Sequence, residues 1–295
     1  MIEIDIISGF LGAGKTTLAN RLMARYASQG ERVVYIVNEF GQTDMDAELL
    51  RGAGFEAVAL EGGCACCTLK GELTRALGEI VRTFSPERIV FETSGVFVFS
   101  QFEDVLKDGY LRERCAIRRA VVVADSLNCR GARLIAGSFI ENQIRNASVL
   151  VLSKLERFRG DPEELICDLR NINPHAALVA LPWSESGFLD AVLRAQQGGM
   201  NGPQMHAHAH LDTVTVKAGR DYARGDVERI THCVTSGECG EVLRAKGSLR
   251  MDGVPHLLNI AMEDVVLERA AVPGEPCLTF IGAHLDASRL ESLLA

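Results

Sequence analysis

Aromatic residues are scarce, at 6% of 295 positions with a single Trp. Proteins that thread single-stranded nucleic acid stack its bases on aromatic side chains, so this class is disfavoured. Positive charge is also short, with a formal net charge of −8. That argues against a general binder of nucleic acid or of an anionic membrane. No apolar run reaches the roughly 20 residues that span a bilayer. The first residues enter a strand pattern at once, which predicts no secretory signal and a cytoplasmic protein. What remains is ordinary for a globular protein: 47% hydrophobic and 24% charged residues, enough for one large domain or two unequal ones. The nine cysteines are an odd number. In a reducing compartment, clustered cysteines point to metal or redox chemistry more often than to structural disulfides.

The most informative stretch is Gly9-Phe-Leu-Gly-Ala-Gly14-Lys15-Thr16-Thr17, which fits the phosphate-binding pattern G-x-x-x-x-G-K-[ST]. An apolar run from Ile2 to Ile7 precedes it and predicts a buried strand. Leu18, Leu22, Met23 and Tyr26 follow at helical spacing. Gly9, Gly12 and Gly14 let the backbone curl so that its N–H groups, that of Ala13 among them, point towards phosphate oxygens, and the helix start adds partial positive charge. Lys15 reaches the β- and γ-phosphates, and the Thr16 hydroxyl can ligate Mg²⁺. The predicted ligand is therefore a nucleoside triphosphate with Mg²⁺.

Further along, Arg32–Val37 predicts a second strand that runs into Asn38-Glu39-Phe40-Gly41. Ligands of open parallel sheets gather outside such strand ends. Asp44, Asp46 and Glu48 follow, fitting either a solvated loop or a switch facing the γ-phosphate. A short strand, Phe55–Leu60, leads to Gly62-Gly63-Cys64-Ala65-Cys66-Cys67. Three thiolates in a glycine-rich turn suit Zn²⁺ or another soft transition metal. They leave a tetrahedral ion one ligand short, to be supplied by Glu39, a His, water or a partner. An incomplete site of this kind suits transfer better than permanent structure. Glu92 ends the strand Arg88–Phe91, where P-loop enzymes place an acidic residue that holds Mg²⁺ through water, and Gly95 then offers a backbone N–H to the γ-phosphate. At Ser153-Lys154-Leu155-Glu156 a GTPase would carry Asn-Lys-x-Asp. Glu156 supplies a carboxylate for guanine, one methylene longer, while Ser153 lacks the amide.

Strands and helices alternate to about residue 195, which predicts an α/β fold with a doubly wound, mostly parallel sheet. Within it, Phe97–Leu111 and Gly137–Ala147 read as helices, and Asp161 and Pro162 read as the cap and first turn of another. Composition shifts to Gln, Gly and Pro at 196–203, and His206, His208 and His210 follow. In an extended segment these three imidazoles share one side and could meet one ion; a solvated His tract is the plain alternative. The expected division is a P-loop domain at 1–196, a His-containing linker at 197–210 and a smaller α+β domain at 211–295. His232, Cys233 and Cys239 read as structural.

Together these residues resemble the CobW/YjiA-like family of P-loop GTPases, whose members are implicated in metal delivery. Gly9–Thr17 looks like its P-loop, Asn38-Glu-Phe-Gly41 like its first switch and Gly63-Cys-Ala-Cys-Cys67 like its G-C-x-C-C metal motif. Glu92-Thr-Ser-Gly95, Asn173-Pro-His-Ala176, Arg244-Ala-Lys-Gly247 and Phe280-Ile-Gly282 look familial too. The departures are Ser153 and Glu156 in the base motif and Val96-Phe97-Val98 after Gly95. The resemblance implies a slow GTPase using GTP, Mg²⁺ and Zn²⁺ or another transition metal. It would act as a metallochaperone or insertion factor for a client metalloprotein, alone or as a homo-oligomer. In that reading Lys15, Thr16, Glu39 and Glu92 are catalytic, and Cys64, Cys66 and Cys67 hold the transported ion. A nucleotide-gated metal sensor without turnover and a P-loop ATPase are the alternatives.

Overall fold

The computed structural model describes residues 1–37, 56–59, 68–93, 99–195, 211–262, 264–270 and 276–295. They divide into two compact units, Met1–Cys129 with Gly137–Ala207, and Arg130–Ala136 with His208–Ala295.

The first unit is built on seven parallel strands: β1 (Ile2–Gly9), β2 (Val33–Val37), β3 (Glu56–Ala59), β4 (Arg88–Glu92), β5 (Cys115–Asp125), β6 (Val149–Ser153) and β7 (Ala177–Val179). Their order is β3-β2-β4-β1-β5-β6-β7, so β1 is the central strand. Parallel strands need crossovers, and the crossover helices cover both faces. Helix α1 (Lys15–Ser28) sends Leu18, Leu22 and Met23 into a core with Ile7, Tyr35, Val90, Val121 and Val151. Residues of opposite parity point the other way, where the Phe91 ring packs tilted against Phe102 of α3 (Phe99–Val105), with centroids 4.7 Å apart. Helix α2 (Thr68–Phe84) lies against α3.

Two predicted helices change shape. The stretch expected to be one helix over 97–111 is two, α3 and α4 (Gly109–Arg112), because the Asp108 carboxylate accepts the Tyr110 N–H and starts a new turn. The helix expected at 137–147 begins earlier, as α5 (Cys129–Asn146), with a break at Ala136 (φ −124°, ψ 37°). Helix α6 (Pro162–Ile172) starts as read, with Asp161 accepting the Glu163 N–H at 2.9 Å. Helix α7 (Phe188–Arg194) buries Phe188 and Val192 beside α1. Among the described residues no helix is long and apolar enough to cross a membrane.

The apolar reading of Ile2–Ile7 needs correction. Asp5 lies within it and is wholly buried. Between β1 and β5 the register slips, pairing Ile4 with Ile117 but Asp5 with Arg119, so Arg118 is an extra residue. This bulge turns Arg119 onto the α1 face, because a one-residue shift moves every later side chain to the opposite side. There Arg119 donates to Asp5 at 3.1 Å and to the Tyr26 hydroxyl at 2.9 Å. Arg88 meets Asp5 at 3.4 Å, reaches Glu3 and Glu31, and stacks 4.1 Å over the Tyr26 ring. Tyr26 donates to Asp5. Burial, then the adjacent carboxylate, push the Tyr26 hydroxyl well above the usual phenol range.

The second unit is an antiparallel sheet ordered β12-β11-β10-β13-β8, with β9 beside β10. Its strands are β8 (Asp212–Lys217), β9 (Asp221–Tyr222), β10 (Glu241–Met251), β11 (Val254–Ala261), β12 (Asp264–Arg269) and β13 (Cys277–Ala283). Helices α8 (Arg224–Thr235) and α9 (Ala287–Leu294) supply Val227, Ile230, Leu290 and Leu294 to its core. The short β9 and the exposed β12 carry too little apolar alternation to be read in advance. Cys233 and Cys239, expected to be structural, are joined as a disulfide with Cα atoms 6.1 Å apart.

Replacing Asp5 with Ala leaves two buried guanidinium groups short of their shared acceptor. The expected loss is about 3–5 kcal/mol of unfolding free energy, measured by urea titration, because breaking a buried ion pair strands the remaining charge.

Candidate functional site

The Gly9–Thr17 loop leaves the C-terminal end of the central strand and enters α1. It can turn only through glycine. Gly9 has φ 143°, and a β-carbon there would lie 2.4 Å from the Val123 carbonyl oxygen of β5. Gly14 caps α1 in a left-handed conformation, φ 102°. The first turn of α1 contains no acidic residue to compete for its N–H groups, so the helix start favours an anion. Lys15 is buried, and its ammonium donates to the Phe10 carbonyl at 3.3 Å, across the base of the loop. Gly12 is half-buried and Ala13 buried, while Thr17 is exposed.

Thr16 and Glu92, 76 positions apart, come together. The Thr16 hydroxyl donates to Glu92 Oε1 at 2.8 Å. This happens because β4 lies beside β1, pairing Ile7 with Glu92. The other carboxylate oxygen, Oε2, accepts the Tyr35 hydroxyl of β2 at 2.5 Å. Glu92 itself is 3% exposed. Tyr35 gave no signal in the sequence, since a tyrosine inside an apolar strand reads as core.

A second group of residues forms at the ends of β5 and β6. Ser153 is buried, 3.5 Å from the Ala124 carbonyl. Lys154 takes a left-handed backbone, φ 58°, and its ammonium pairs with Asp125 Oδ2 at 2.8 Å. Asp125 also accepts the Leu127 N–H and the Asn128 side-chain amide, each at 2.9 Å. Asp125 was legible by the same signal as Glu92, an acid at the end of an apolar strand. Glu156 lies exposed on the following turn, and its Oε1 accepts the Ser184 N–H at 3.4 Å and the Ser184 hydroxyl at 3.3 Å. Its own N–H, opposed by partial burial and followed by the Ser184 donors, holds its carboxyl below the ordinary glutamate range. Beside Ser184, the Trp183 indole approaches the phosphate loop. Its Cη2 lies 3.3 Å from where a β-carbon on Gly14 would be.

This arrangement of glycine-turned loop, helix start, Thr16–Glu92 pair and Ser153–Glu156 loop sits on a chain whose residues 3–180 match the model of the CobW/HypB/UreG nucleotide-binding domain. The chain belongs to the CobW/HypB/UreG family. Residues 211–295 match the cobalamin synthesis protein CobW C-terminal domain, so CobW-type features run through both units. The chain is 32% identical over 148 residues to the zinc chaperone CobW of Sinorhizobium sp., covering 48% of this chain and 40% of that protein. It is 26% identical to the Escherichia coli zinc chaperone YeiR, covering 72% of this chain and 65% of that protein. A third similarity, to the E. coli zinc chaperone YjiA, is 26% over 280 residues, or 87% and 84% of the two chains. The matches thus span less than two thirds of the first two relatives. Glu39, Cys64, Cys66, Cys67, Gly95, His206, His208 and His210 of the CobW-type reading lie outside the described residues. Among the described residues no three His, Cys, Asp or Glu side chains are grouped to hold a metal ion.

Replacing Gly9 with Ala forces a β-carbon against the β5 backbone at an unfavourable φ. The expected cost is roughly 2–4 kcal/mol of stability, read by urea unfolding, since neither backbone can yield without breaking strand pairing.

Proposed function

We propose that this chain is a GTP-hydrolysing metallochaperone that hands a transition metal to a client metalloprotein. The Thr16–Glu92 hydrogen bond at 2.8 Å, directly beneath a glycine-turned phosphate loop, carries the nucleotide half of this reading. The G-C-x-C-C sequence at 63–67 and the zinc-chaperone names of the relatives support the metal half. The working division is a nucleotide domain at 1–196, a His-containing linker at 197–210 and a CobW-type C-terminal domain at 211–295.

In this reading Gly12 to Thr17 hold the phosphates, with Lys15 neutralising the β- and γ-groups. Mg²⁺ takes oxygen ligands, and the paired hydroxyl and carboxylate of Thr16 and Glu92 fit that requirement. Thr16 would ligate the ion and Glu92 would hold it through water; when bound, it supplies charge neutralisation at the β- and γ-phosphate oxygens. Tyr35 fixes the second Glu92 oxygen, so the carboxylate keeps one orientation. The Gly95 N–H would meet the γ-phosphate. Ser153, Lys154 and Glu156 line the base, with the Glu156 carboxylate accepting guanine N–H groups.

The cargo ion, zinc or a similar metal, would bind Cys64, Cys66 and Cys67, with Glu39 in the switch able to complete the set. Occupancy of the γ-phosphate site would then bias the metal site, and hydrolysis would favour release to the client. His206, His208 and His210 form a secondary metal-binding stretch.

Triple Cys64→Ser, Cys66→Ser, Cys67→Ser exchange should abolish tight Zn²⁺ or Co²⁺ binding and leave GTP binding intact. Unchanged metal stoichiometry and affinity would overturn the metal assignment. The unmodified protein should release phosphate from GTP more slowly than about one turnover per second, because the amino-acid sequence offers no clear arginine-finger motif. Lys15→Ala should reduce that release to background.

A further inference from the structure

We propose that Ser184, held in place by Trp183, is the positioning residue that aims the Glu156 carboxylate at the base of a guanine nucleotide. This rests on the GTP reading given above and adds the device that makes the departures from Asn-Lys-x-Asp workable.

The need for such a device follows from Glu156 itself. A glutamate has one more rotatable bond than the aspartate usual at this place, and here it is exposed. Unrestrained, its carboxylate samples many rotamers, and ordering it on each binding event costs free energy. Two donors from one residue remove that freedom. The Ser184 N–H and hydroxyl both meet Oε1, at 3.4 Å and 3.3 Å. Each oxygen carries two lone pairs. Those two donors take both lone pairs of Oε1, and the carboxylate keeps the two of Oε2 for the guanine N1–H and 2-amino group.

Ser184 can act as a fixed donor only if its own loop is fixed, and the residue before it is clamped on several sides. The Trp183 indole N–H donates to the Leu152 carbonyl of β6 at 2.8 Å. Its ring stacks on Phe188 of α7 with centroids 5.1 Å apart. Arg21 of α1 lies 5.7 Å over the same ring and donates to the Trp183 carbonyl. The far edge of the indole fills the space between Gly14 and Ser153: a point 3.3 Å from Trp183 Cη2 is 4.0 Å from Ser153 Cβ. A longer side chain at 153 would compete for that space. The short Ser153 and the large Trp183 thus belong together, and the indole links the end of the phosphate loop to the base loop.

The test compares GTP with ITP, which keeps N1–H but lacks the 2-amino group. Affinities of the full chain for both, with Mg²⁺, are read from the fluorescence of Trp183, the single Trp. The unmodified protein should prefer GTP. Ser184→Ala should lower the GTP/ITP preference about threefold to tenfold, the size of one ordinary hydrogen bond, with a smaller loss of ITP affinity because ITP still offers its N1–H to Glu156. Ser184→Thr, which restores a hydroxyl, should restore the preference. Trp183→Phe, followed with a labelled nucleotide, should lower it as Ser184→Ala does. A Ser184→Ala protein that keeps the full preference overturns the inference while leaving the GTP reading standing. Equal affinity of the unmodified protein for GTP and ITP overturns the reading of Glu156, and this inference with it. Absence of binding by either nucleotide overturns the P-loop assignment as well.

Discussion

A carboxylate with no access to water, Asp5, stands in the middle of the central strand and is matched by two guanidinium groups and a tyrosine hydroxyl. Leaving such a charge unpaired in the interior is far more costly than a surface pair is favourable. The cluster therefore tolerates only one arrangement of the elements that contribute to it. Tyr26 comes from α1, Arg88 from β4 and Arg119 from β5, and Arg119 also donates to the Leu193 carbonyl of α7. The bulge at Arg118 is part of the same solution, because without it Arg119 would face the other side of the sheet. Four elements are thus tied to β1 a few residues upstream of the place where the chain must curl around a phosphate.

That registration carries directly to the site. With β1 held between β4 and β5, Glu92 ends level with Ile7, and Gly9 runs against Val123 with no room for a side chain. Thr16 then meets Glu92 from the first turn of α1. The carboxylate is held from β2 as well, through Tyr35. A carboxylate that accepts on both oxygens from two different elements has little freedom to turn.

The other end of the site is tied down differently. Lys154, which the sequence suggests for the base, is paired with Asp125, so the ends of β5 and β6 are locked by charge. Glu156 is held by neutral donors from the loop after β7. The Gly9–Thr17 end thus rests on buried ionic contacts, and the Ser153–Glu156 end on an exposed carboxylate and a wedged aromatic ring.

Much of this protein was open to reading from the chain alone, and for one reason. Glycine spacing, strand-end acids and apolar periodicity are local consequences of backbone sterics and burial, so the P-loop pattern, the alternation of β1 to β7 with helices, the Asp161 cap and the place of Glu92 at a strand end were all legible. Tertiary structure decided what depends on partners distant in the chain. Asp5 reads as part of an apolar run, and its role emerges only when residues 88 and 119 are brought beside it. Tyr35 looked like core until Glu92 lay next to it. Trp183 and Ser184 looked like an ordinary loop until the end of β7 placed them over Gly14 and Glu156. Local chemistry names the residues able to bind a nucleotide, but their orientation is fixed by contacts 28 to 114 positions apart, which only the folded sheet brings together.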